Sequence, residues 1–138
     1  MTKVFVDTDV CLDLLSGRKP FHYQAQLLFS LADRQRIKIH VAAISFANID
    51  YLLRKQYTGN GSRQILARFK TLVNVLPVDD KCIELAIASE FTDFEDAIQN
   101  AVALENGITT FITRNTKDFK KSTLTVLTPE TFLAKDLG

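Results

Sequence analysis

The chain has 138 residues, 46% of them hydrophobic, with a net charge of +1 and two cysteines. That length holds one core with helices on both faces of a five-stranded sheet and leaves no room for a second domain. No segment approaches the roughly 18 apolar residues of a membrane helix, and Asp7 interrupts the chain before any leader-like apolar run, so a single cytoplasmic domain over residues 1–138 with no membrane partner is expected.

In chain order, the first element is a strand over 3–7. Val4-Phe5-Val6 is a continuous run of β-branched and aromatic residues, which reads as a buried parallel strand. Open α/β sheets bind ligands at the carboxyl ends of such strands, which makes Asp7 a candidate working residue. A helix follows to about Leu15, and Ser16-Gly17 closes it. Cys11 within it and Cys82 stand in apolar surroundings far apart in sequence, the setting of reduced core thiols. Ala25, Leu28, Leu31 and Ala32 give one apolar face to a helix over 21–35. Ile37, Ile39 and Val41 alternate with Lys38 and His40, predicting the second strand.

Ser45 opens a helix to about Tyr57, residues 58–62 form a turn, and a further helix covers 63–73. A third strand is expected over 75–78, then a helix from Asp79 to about Glu90. Thr92-Asp93-Phe94-Glu95 has the form of a capping box before a helix to about Asn106, which Gly107 ends. Strands at 109–113 and 124–127 follow, and Pro129 suits the first turn of a terminal helix. Strands separated by helices predict a parallel sheet in an α/β sandwich.

The charges are unevenly placed. Residues 51–78 carry Arg54, Lys55, Arg63, Arg68 and Lys70 and no acid, whereas 79–96 hold seven acids against Lys81 alone. One flank suits a polyanion backbone and the other a metal cation, although two solvated helix faces explain the same pattern. Asp7, Asp96 and Asp118 converge on one sheet edge if the first strand neighbours the strand over 109–113. Hard cations such as Mg²⁺ take oxygen ligands of this kind. Asp93, Asp96 and Asn100 share one helical face, but an acid in Asp93's position also serves the helix dipole. Arg114 and Lys117, beside Asp118, are candidates to hold a phosphate, while His22 and His40 lie outside every motif.

The stretches FVDTDVCLDLL, DFEDAIQNAVALENGI and FITRNTKDF together resemble the three motifs of the PIN domain family of VapC-type toxins. The resemblance implies a three-layer α/β/α sandwich around a parallel sheet of about five strands. It also implies a Mg²⁺- or Mn²⁺-dependent ribonuclease that cleaves RNA with metal-activated water. Asp7 matches the first acid of that family, with Asp9 where Asn is commoner, and Asp96 matches the third. The fourth position falls on Asn115, and Asp118 is the nearby carboxylate that serves instead. The second acid of the family falls on Asn48, with Ser45 on the same helix face, so an amide and a hydroxyl look into the site. Arg54, Lys55, Arg63, Arg114 and Lys117 become the nucleic-acid contacts. An antitoxin protein and a homodimer are the partners implied.

Two alternatives stay open. A chain weakened at Asn48 can serve as an RNA- or partner-binding module of the same fold. VDTDVC also lies one residue from the signature of haloacid dehalogenase-type phosphatases, in which the first Asp is a nucleophile.

Overall fold

Val4, Phe5 and Val6 have no exposed surface, as expected of a strand covered on both faces. They belong to β1 (Thr2–Val6). The elements that follow are α1 (Thr8–Ser16), α2 (His22–Asp33), β2 (Ile37–Ala42), α3 (Ala43–Leu53), α4 (Gly61–Lys70), β3 (Asn74–Leu76), α5 (Asp80–Ala88), α6 (Phe94–Glu105), β4 (Thr110–Ile112), β5 (Thr125–Leu127) and α7 (Pro129–Leu137). A short 3-10 helix, Thr116–Phe119, joins β4 to β5. The computed structural model describes residues 1–57 and 60–137. Of the turn expected over 58–62, Thr58 and Gly59 lie outside the described residues.

The sheet has the order β3-β2-β1-β4-β5 and every pairing is parallel. The chain therefore builds outward from β1 to β3, then crosses back to lay β4 on the other side of β1. That reversal opens a crevice at the carboxyl ends of β1 and β4. The register pairs Val6 with Ile112, which sets the next residues, Asp7 and Thr113, side by side.

Alternation along each strand divides the core in two. Val4, Val6, Ile39, Val41 and Ile112 pack under α1, α2, α3, α4 and α7. Phe5, Ala42 and Phe111 face α5, α6 and Phe119 instead. The result is the three-layer α/β/α sandwich with a five-stranded parallel sheet. Gly17 ends α1 in the left-handed region at φ 68°, with its N–H on Asp13 O, a conformation that costs a side chain dearly. Cys11 and Cys82 are buried free thiols.

The 3-10 helix has no counterpart among the elements expected from the sequence. It forms because Phe119 is buried with its ring centroid 4.4 Å from Phe111 and 5.5 Å from Phe91. Each such aromatic pair adds about 0.5–1.5 kcal/mol beyond area burial, enough to pin four residues that lack a helical pattern of their own.

Candidate active site at the carboxyl end of the sheet

Asp7 leaves β1 with its backbone N–H on Ile112 O at 2.9 Å, and its side chain is only 3% exposed. Both carboxylate oxygens are engaged: Oδ2 accepts from Thr113 Oγ1 at 2.6 Å, and Oδ1 from Gln99 Nε2 at 3.0 Å. Burial pushes this carboxyl up to about 6, with Asp9 adding repulsion and the two side-chain bonds pulling the other way. A buried carboxylate held by neutral donors gains from any positive charge brought near it.

The start of α6 supplies the opposite wall. Asp93, rather than Thr92, is the N-cap: its Oδ1 accepts the backbone N–H of Asp96 at 2.9 Å. A carboxylate satisfies a helix N-terminus and its dipole better than a hydroxyl does. The expected capping box is absent, and Glu95 Oε2 instead accepts from Thr8 Oγ1 at 3.0 Å. Burial drives the Asp96 carboxyl up to about 7, followed by the charges of Asp7, Asp93, Asp118 and Glu95. The 3-10 helix brings in exposed Asp118 and Lys117, and these residues line one cavity of about 470 Å³ with Asp7, Asp9, Asp93 and Asp96.

The remaining sequence candidates separate into two groups. Asn115 lines the cavity, where its Nδ2 donates to Asp9 Oδ2 at 3.1 Å. Ser45 is buried and reaches the site only through Thr8, 2.7 Å between hydroxyl oxygens. Asn48 is half-buried on α3, outside the residues that line the cavity. Asn100 turns elsewhere and accepts from Ser122 Oγ at 2.6 Å.

Arg114 also points away from the cavity. It forks onto buried Asp13, with Nε to Oδ2 at 2.6 Å and Nη2 to Oδ1 at 3.3 Å, and lies 3.9 Å over the Phe21 ring. Arg54 pairs with Asp50 at 3.2 Å and Lys55 stacks 5.1 Å over Tyr51. Arg63 lines a separate pocket beside Asp50 and Arg54. The side chains that sequence reasoning missed are Thr8, Glu95, Gln99, Lys120 and Lys121, all on the cavity wall. Gln99 is the most informative, since its Oε1 also accepts the Thr8 backbone N–H at 3.1 Å. Its one available signal was its place a helical turn beyond Asp96.

The arrangement concentrates negative charge at a sheet edge where no lysine or arginine neutralises Asp7 or Asp96 among the described residues. Nor do three or more His, Cys, Asp or Glu side chains there form a ready-made metal-binding group. Fold and cavity define a three-layer α/β/α domain that gathers carboxylates at the switch point of a parallel sheet. The family model described as PIN domain matches residues 3–117, and the chain belongs to the PIN domain family.

No curated protein matches the sequence. Among solved structures the chain is similar to VapBC2 from Rickettsia felis bound to a DNA fragment from their promoter, at 17% identity and TM-score 0.68, covering 91% of this chain and 97% of that one. It is similar to a toxin-antitoxin complex from Klebsiella pneumoniae at 24% identity and TM-score 0.70, again over 91% and 97%. A third similar structure is VapC20 of Mycobacterium tuberculosis, a sarcin-ricin loop cleaving toxin, at 22% identity and TM-score 0.62 over 78% and 86%. At these identities the likeness is one of fold. No helix among the described residues is long and apolar enough to cross a membrane.

Proposed function

We propose that the chain, read as one cytoplasmic PIN domain over residues 1–138, is a metal-dependent endoribonuclease. Asp7, Asp96 and Asp118 are its cation-binding and catalytic carboxylates. The observation that carries this reading is the pairing of Asp7 with Asp96 across one cavity, both carboxyls pushed up to about 6 and about 7 by burial and by neighbouring acids. Family membership supports a nuclease, and the likeness to toxin-antitoxin complexes supports an antitoxin partner; a homodimer is the further part of the same proposal.

The donor set fits Mg²⁺ or Mn²⁺. All the candidate ligands are hard oxygens, and Mg²⁺ is held by one or two carboxylates while it keeps several waters, so a tight group of three is not required. When bound, such a cation supplies a water of lowered pKa and offsets charge growing on a phosphodiester. The chain's own residues do the rest. Thr113 and Gln99 fix the two oxygens of Asp7 so that it stays aimed at the cavity. Asn115 holds Asp9, Asp93 sets the first turn of α6, and Lys117 and Lys120 on the wall are placed to attract an RNA phosphate.

Two observations bear on the alternatives. Asp7 is buried with both oxygens accepting hydrogen bonds, a poor setting for a phosphatase nucleophile that must reach a phosphorus atom. The neutral Asn48 at the position of the family's second acid favours the binding module. Incubation of a looped RNA with the protein, with and without Mn²⁺, separates the two. Cleavage that needs Mn²⁺ and is lost in Asp7→Asn is the expected result. RNA that is bound but left intact by both proteins would establish the binding module.

A further inference from the structure

We propose that Glu95 is a fourth carboxylate of the cation site, supplying from α6 the charge that α3 lacks at Asn48. The inference rests on the nuclease reading above. α3 reaches the site only indirectly, through Ser45, whose Oγ stands 2.7 Å from Thr8 Oγ1, and Thr8 Oγ1 stands 3.0 Å from Glu95 Oε2. An ionised carboxylate only accepts and each hydroxyl has one proton to give. Thr8 therefore gives its proton to an acceptor, Glu95 Oε2 being the nearer of two, and Ser45 donates to Thr8. Gln99 Oε1, 3.3 Å from the Thr8 hydroxyl, is the longer acceptor and also takes the Thr8 backbone N–H.

This chain of hydroxyls holds one oxygen of Glu95 against the end of β1. Among the described residues Oε1 has no hydrogen-bond partner and no lysine or arginine pairs with the side chain. Glu95 lines the same cavity as Asp7 and Asp96 and its charge is felt at Asp96. A residue needed only to cap α6 would turn back on the helix start, a task that Asp93 already performs.

The test is Mn²⁺ binding by calorimetry to wild type, Asp7→Asn, Glu95→Gln and Glu95→Asp. Glu95→Gln keeps an oxygen for Thr8 and loses only charge, so its dissociation constant should rise about tenfold or more, while Glu95→Asp should bind more tightly than Glu95→Gln. The melting temperature of metal-free Glu95→Gln should match or exceed that of wild type, because a like charge beside Asp96 has gone. Wild-type affinity in Glu95→Gln, with binding lost in Asp7→Asn, overturns the role of Glu95 and leaves the nuclease reading intact. Equal weakening in both Glu95 variants also overturns it. A wild-type protein that binds no Mn²⁺ removes the metal reading and the role of Glu95 together.

Discussion

Thr113 Oγ1 donates to Asp7 Oδ2 at 2.6 Å and accepts the backbone N–H of Asn115 at 3.1 Å. One hydroxyl thus ties the end of β1 to the loop that leads to Asp118. It is also the strongest influence holding the Asp7 carboxyl down against burial. Thr113→Val removes the donor with little change in shape. The Asp7 midpoint should climb above about 6, and stability at pH 8 should drop by at least about 1–3 kcal/mol, the range for a buried polar group deprived of a partner, which charge increases. A carboxyl-carbon NMR titration reads the first effect and urea denaturation the second. An unmoved midpoint would mean that Thr113 does not tune Asp7.

Stability of the metal-free protein should fall as pH rises from about 4 to about 7. The ordinary carboxyl value of 3.8 applies in the unfolded chain, whereas folded Asp7 and Asp96 hold their protons to about 6 and about 7. The folded state therefore binds more protons across that window, and deprotonation favours unfolding. For Asp7 the cost at pH 8 is on the order of 3 kcal/mol at most. Asp7→Asn should flatten the decline, and Mn²⁺ should reverse part of it in wild type alone. Melting temperatures taken from pH 4.5 to 8 check this, and a profile that rises over the same range would contradict it.

Arg114 is a structural cation. Its fork on Asp13 lies in a setting where Asp13 is 1% exposed, and burial already raises that carboxyl against the pull of Arg114. Breaking a buried pair costs about 3–5 kcal/mol, and the low end is expected for Arg114→Ala because Arg18 stays 3.7 Å from Asp13. RNA affinity of the folded variant should not change. Arg114→Ala with wild-type stability and weakened RNA binding would return this residue to the phosphate-binding set.

Much of this was legible from local pattern. The run Val4-Phe5-Val6 and the alternation Ile37, Ile39, Val41 are short-range signals, and they place the strand ends, and so Asp7, without any tertiary knowledge. What stayed hidden depends on partners far away in sequence. Arg114 adjoins the Asp118 motif, yet its side chain belongs to Asp13, 101 residues earlier. Helical periodicity put Asp93, Asp96 and Asn100 on one face, but the sheet decides which face meets Asp7, and it is Gln99, 92 residues away, that does. The 3-10 helix is likewise held by Phe119 on Phe111, a pairing that no four-residue window contains.

RNA affinity should depend more on Lys117 and Lys120 than on Arg54 and Lys55. The first two stand on the cavity wall, whereas Arg54 is paired with Asp50 and Lys55 lies against Tyr51. Removing one lysine that neutralises a phosphate should flatten the plot of log affinity against log salt by about 0.7 for a single strand. Lys117→Ala and Lys120→Ala should each show this, and Arg54→Ala should leave the slope alone. The opposite ranking would move the RNA path to α3 and α4.

Asn48→Glu tests where the missing charge resides. If α3 carried the second acid position into the cavity, a carboxylate there would tighten Mn²⁺ binding and rescue Glu95→Gln. Asn48 is half-buried and does not line the cavity, and α3 reaches the site one turn earlier, through Ser45. A carboxylate at position 48 is therefore expected to change Mn²⁺ affinity by less than about threefold and to leave Glu95→Gln unrescued. The double variant should equal the two single effects added together, as for groups that share no ligand. Calorimetry on wild type, each single variant and the double closes the cycle. Recovery of wild-type affinity in the double variant would show that positions 48 and 95 serve the same cation, and that the helix face of Asn48 turns toward the metal once a carboxylate is present.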